Sequence, residues 1–129
     1  MDKQFHYIQI SDVLIRQNDD KYPINEHAYY QALVNNDRKL YEKQVNKSKW
    51  QKEKQSATWQ HFLQLKESIQ ANGYIPDKTP IIIKFKNNRM PYVSHGRHRI
   101  VLLMYIYGPE LKLVMQMKNG IGKVVNISA

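Results

Sequence analysis

A chain of 129 residues with 42% hydrophobic residues suits one domain with one core and is too apolar for a disordered segment. It has no cysteine, which excludes disulfides, thiolate metal sites and thiol chemistry. With 20 Lys+Arg against 11 Asp+Glu, its formal charge of +9 favours anionic partners such as nucleotides, phosphorylated small molecules or nucleic acid.

No apolar run approaches the roughly 20 residues that cross a bilayer, so no membrane partner is expected. Met1 to His6 has no basic stretch followed by an apolar one, so no signal peptide and a cytoplasmic location are expected. Phe5 to Ile10 alternates, with Phe5, Tyr7 and Gln9 on one face and His6, Ile8 and Ile10 on the other, which predicts a strand. Ser11 to Ile15 reads as a turn. Gln17 to Asn25 is polar, carries Pro23 and reads as a loop.

From His27 to Gln55 apolar residues recur every three or four positions in places, which predicts one or two helices with an exposed tail. Arg38, Lys39, Lys43, Lys47, Lys49, Lys52 and Lys54 crowd this stretch, interleaved with Tyr41 and Trp50. Lysines neutralise phosphates and aromatics stack on bases, so a nucleic-acid contact is one reading. A solvated helix face with one aromatic packed inward is the other.

Thr58 to Asn72 predicts a helix, capped by Ser56 or Thr58 and ended by Gly73. Its inward stripe is Trp59, Phe62, Leu65 or Lys66, and Ile69. Pro80 to Phe85 reads as a strand buried on both faces. Met90 to Ser94 reads as a second, with Pro91 at an edge or at its first residue. A mostly buried helix follows from Gly96 to about Tyr107, ended by Gly108-Pro109. Leu111 to Met117, a turn at Asn119 to Gly122, and a last strand from Lys123 to Ile127 complete the chain. The fold class expected is α/β (α+β): a small mixed sheet with helices packed on it.

The unit that carries chemistry is strand, tight turn, helix: His95-Gly96-Arg97-His98-Arg99. Gly96 permits the dihedrals of a sharp turn. The first amides of the helix point outward without partners, beside the positive end of its dipole, where a phosphate fits. Arg97 and Arg99 in that first turn are unfavourable unless an anion joins them. The bland alternative sends them to solvent or to carboxylates such as Asp77 or Glu67. His95-x-x-His98 has no acid or thiolate nearby to complete a metal site, so no metal ligands are assigned.

With those pieces the chain resembles the ParB/sulfiredoxin superfamily from about Phe5 to Met117. The resemblance rests on Tyr7 to Leu14, on Leu65-Lys66-Glu67-Ser68-Ile69-Gln70-Ala71-Asn72-Gly73-Tyr74, on Pro80 to Ile83, and on Gly96-Arg97-His98-Arg99 before a helix ending at Gly108. It implies a single ParB-like domain over 1–129, with a basic helical insertion at about 29–57. It also implies that the Gly-x-His-Arg turn binds nucleotide phosphates. Members include CTP-binding partitioning clamps, sulfiredoxins and free-serine kinases. The insertion looks most like small proteins of bacterial polysaccharide gene clusters that carry an Asp-Gly-x-His-Arg turn.

By that resemblance Gly96, His98 and Arg99 would hold the anion, and the reading of the turn itself adds His95 and Arg97. The arginines would clamp phosphate oxygens, and His98 would orient the nucleotide or exchange a proton. ATP, ADP or CTP would be the ligand, with Mg²⁺ and an enzymatic step (small-molecule kinase or nucleotide hydrolase) left open. Glu26, Glu67 and Asp77 are candidates for a base or metal ligand. The chain departs from the family in lacking the sulfiredoxin cysteine, and in placing His95 where kinases and the polysaccharide branch have an acid. The clamps' helix-turn-helix domain has no counterpart in 129 residues, so operator binding is not expected. A nucleic-acid module using the 38–54 stretch and a non-catalytic accessory subunit are the alternatives.

Overall fold

The computed structural model describes residues 5–17, 19–47, 58–76 and 80–128. Strands β1 (Phe5–Gln9), β2 (Leu14–Gln17), β3 (Asp20–Pro23), β4 (Ile82–Lys84), β5 (Tyr92–His95), β6 (Lys112–Lys118) and β7 (Ile121–Ser128) join in one mixed sheet. Its order is β1-β6-β7-β4-β5-β2-β3. All pairings are antiparallel except β2 with β5, which meet in parallel at Leu14 and Tyr92. The helices are α1 (Ala28–Asn35), α2 (Arg38–Lys47), α3 (Trp59–Asn72) and α4 (Arg97–Tyr107). The α+β expectation holds.

The two-residue period sorts the strands' side chains. Ile15, Ile83, Val93, Leu113, Met115 and Val124 share one face and enter a single core with Tyr29, Tyr41, Phe62, Ile69 and Ile100 to Met104 of the helices. Five consecutive buried residues on α4 mean that helix is enclosed on nearly all sides. At the start of α3, the Thr58 hydroxyl accepts from the His61 amide at 3.1 Å, and Trp59, Phe62 and Ile69 are the face it buries.

Three expectations need correction. Gln17 to Asn25 is no loop: Leu14 to Gln17 pairs with Asp20 to Pro23 as a hairpin, and a short 3-10 turn follows at Ile24–Glu26. Pairing of Leu14–Gln17 with Asp20–Pro23, not local composition, holds this polar segment extended. Pro80 to Phe85 is not buried on both faces. Ile81 and Ile83 are enclosed, while Ile82 and Lys84 are half-buried on the opposite side. Pro91 marks no edge, since β5 is an inner strand. It stands just before the strand, and its carbonyl accepts from the Leu14 amide at 2.9 Å.

Smaller shifts concern the last hairpin. Its turn is only Asn119 and Gly120, with φ 53° and 76°, so β7 begins at Ile121. Positive φ at both central residues matches the twist of the flanking strands. Within 29–57, α1 and α2 contribute Tyr29, Ala32 and Tyr41 to the core. The expected tail, with Lys49, Trp50, Lys52 and Lys54, lies outside the described residues.

Candidate functional site

β5 delivers the chain to Gly96, which adopts φ 90°, ψ 35° and starts α4. That left-handed conformation disfavours any side chain. A Cβ there would also lie 2.8 Å from Ile81 Cγ1 and 3.1 Å from Ile81 Cα, so the turn sits directly on β4's approach. The Gly96 carbonyl accepts from the Ile100 amide at 2.9 Å. No side chain caps the helix, which leaves the amides of Arg97, His98 and Arg99 free of intrahelical acceptors.

The three side chains of this turn go to different places. His98 turns inward, its ring stacked on Tyr29 at 4.6 Å and edge-on to Phe62 at 5.3 Å. Its Nε2 lies 3.0 Å from the Tyr41 hydroxyl. Burial, reinforced by the Arg97 charge, lowers its pKa from 6.5 to about 4, so the ring is neutral near pH 7. Its side chain is therefore committed to packing and to Tyr41. What His98 can offer an anion is its backbone amide.

Arg97 stands over this cluster. Its charge opposes protonation of His27 and His98 and favours ionisation of Tyr29. Arg99 leaves in another direction and donates to the Ile75 carbonyl at 3.5 Å, beside Tyr74. Tyr74 is itself a tie, accepting from the Ile81 amide and donating to the Val124 carbonyl, each at 3.1 Å. Among the described residues neither arginine has a carboxylate partner; the ion pair found there is Arg38–Glu42 at 3.2 Å on α2. Glu67 pairs with neither, and Asp77 lies outside the described residues.

His95 stays exposed, with Nδ1 3.2 Å from the Ser94 hydroxyl, and does not join His98. Among the described residues no group of three or more His, Asp or Glu is arranged to hold a metal ion. Glu26 is exposed in the 3-10 turn before α1.

In the sequence His27 reads as an ordinary surface or packing residue. It is fully buried, caps α1 by accepting the Tyr29 amide on Nδ1 at 3.0 Å, and leans on the Tyr29 ring at 4.6 Å. With Nδ1 accepting, the ring proton sits on Nε2, which is buried without a hydrogen-bond partner among the described residues. Burial first, then Arg97 and His98, hold its pKa at about 4 against a backbone contact with Arg16 that favours the proton.

On α2, Arg38, Lys39, Lys43 and Lys47 are exposed, but Tyr41 is wholly enclosed and stacked on Phe62 at 4.9 Å. Of the two aromatics read as base-stackers, Tyr41 belongs to the core and Trp50 lies outside the described residues.

No protein-family model, curated protein or solved structure matches this chain. No helix among the described residues is long and apolar enough to cross a membrane.

Proposed function

We propose that this chain is a ParB-like domain that binds the phosphate of a nucleotide at the start of α4. One observation carries the reading. Three amides without intrahelical acceptors open a helix whose first turn holds two arginines, neither with a carboxylate partner among the described residues. Cations at a helix N-terminus work against the dipole, and an anion there reverses that cost. The amides of Arg97, His98 and Arg99 would hold phosphate oxygens, Arg97 would cover the anion on the Tyr29 side, and Arg99 would face it from the Ile75 side. Gly96 would keep the backbone close enough. His95, exposed at the end of β5, would be free to meet the nucleotide's remaining atoms.

Binding is what this arrangement supports. Phosphoryl transfer would require an acid to place Mg²⁺ or a nucleophile. Glu26 and Glu67 pair with neither arginine, and the neutral His98 ring is occupied by Tyr41.

The test is thermal stability against ATP, ADP, CTP, GTP and inorganic phosphate, with and without Mg²⁺, for the native chain, Arg97→Ala and Arg99→Ala. Ligand at a hundred times Kd adds about 2.7 kcal/mol. A stabilising ligand whose effect is lost in Arg97→Ala supports the reading. No stabilisation by any of them, or stabilisation unchanged in both variants, refutes it.

A further inference from the structure

The sheet has a second face that the core does not use. Six Lys and Arg residues lie within its strands: Arg16, Lys21, Lys84, Lys112, Lys118 and Lys123. The registers put all six on this outer face. Arg16 is opposite Lys21, Lys84 opposite Tyr92, Lys118 opposite Ile121, and Lys123 opposite Gln116, while Lys112 pairs with Gln9 and Ser128. The strands' one carboxylate, Asp20, turns to the other side, where the Tyr22 hydroxyl reaches it at 3.4 Å. Ordinary solvated faces mix both signs, because a single-sign field repels itself. Six cations and no acid among the described strand residues of one face make a sorted surface.

Aromatics accompany the charge. Phe5 and Tyr7 occupy alternate positions of edge strand β1 on this face, 50% and 65% exposed. Two residues along a strand are about 7 Å apart, enough for each ring to take its own base. An open depression of about 360 Å³ lies beside Tyr7, lined by Tyr7, Ile8, Gln9, Lys112 and Ser128. At the other end of the face Tyr92 is only 6% exposed, yet it lies outside the core cluster. Lys21 covers its ring at 3.9 Å and Lys86 at 5.7 Å. Such cation–π contacts hold both ammonium groups over the sheet.

We infer that the outer sheet face binds single-stranded nucleic acid, with bases stacked on Phe5 and Tyr7 and the backbone running over the lysines. Stacking on sheet-borne aromatics with phosphates on surrounding cations is the chemistry of sequence-tolerant single-strand binding. Charge complementarity selects the occupant. A second copy placed face to face would set these cations against themselves. This surface is separate from the start of α4, so it stands or falls independently of nucleotide binding there.

Fluorescence anisotropy with labelled 20-mers of dT and rU at 50–200 mM salt tests it. The native chain should bind, with a steep fall in affinity as salt rises. Phe5→Ala/Tyr7→Ala removes two stacked bases and should weaken binding by about thirtyfold or more. Lys112→Gln/Lys123→Gln should make the log–log salt slope shallower by about 1.4, at about 0.7 per phosphate contact on a single strand. Lys39→Gln/Lys43→Gln on α2 is the control and should bind as the native chain does. No binding at 50 mM salt, an equal loss in the α2 control, or retention by Phe5→Ala/Tyr7→Ala each overturns the inference. So does binding to phosphatidylserine vesicles without binding to either oligonucleotide.

Discussion

Acidifying the protein from pH 7.5 to 5.0 should remove a large share of its stability through two imidazoles. His27 and His98 each titrate at about 4 in the folded protein against 6.5 for a free side chain. Between these values the unfolded chain binds more protons, so stability is complete above 6.5 and is lost as pH falls toward 4. Full loss corresponds to about 3 kcal/mol per imidazole, at about 1.4 kcal/mol per pKa unit. At pH 5.0 linkage gives about 2 kcal/mol each, or about 4 kcal/mol for the pair. Carboxylates contribute little in this window, since free Asp and Glu titrate near 3.9 and 4.3. Urea unfolding followed by circular dichroism measures the effect, and about 4 kcal/mol moves the midpoint by on the order of 2 M. His27→Asn retains a side chain that can cap α1 but cannot titrate, so its loss should be half the native one. A native loss below about 1 kcal/mol, or an undiminished loss in His27→Asn, would refute the burial of neutral imidazoles beside Arg97.

Three substitutions probe the scaffold by urea unfolding at pH 7.5. Gly96→Ala combines a left-handed φ of 90° with a Cβ 2.8 Å from Ile81, and should destabilise by about 1–3 kcal/mol. Tyr41→Phe deprives His98 Nε2 of its partner and should cost about 1–3 kcal/mol, whereas a neutral result would show that the 3.0 Å contact contributes nothing. Ile83→Ala empties a fully buried position in the middle of the sheet and should cost about 2–5 kcal/mol; under 1 kcal/mol would contradict its place in the core.

Elements with a local signal were legible. Thr58 and Gly73 bracket α3 at the expected positions, and Gly96 and Gly108 do the same for α4, because caps and left-handed glycines act on the residues beside them. The hairpin of β2 and β3 was not, since only the pairing of Leu14–Gln17 with Asp20–Pro23 holds it extended, and Gln17 to Pro23 has no alternating apolar pattern of its own. The candidate turn was readable from Gly96 and its misplaced arginines. The inward rotation of His98 was not, because the rings that receive it, Tyr29, Tyr41 and Phe62, come from three other helices. His27 was hidden for a similar reason: its role as the α1 cap depends on a burial that no spacing encodes. Charge sorting on the outer face needed the strand registers, which place residues as distant as Arg16 and Lys123 on one side of one sheet.

Nucleotide binding rests on the anion site at the start of α4, where the backbone amides themselves meet the ligand. In a titration with ATP followed by amide NMR shifts, the amides of Arg97, His98 and Arg99 should move downfield first and most. CTP and inorganic phosphate should move the same three. Shifts confined to other residues, or none at saturating ligand, would contradict the claim.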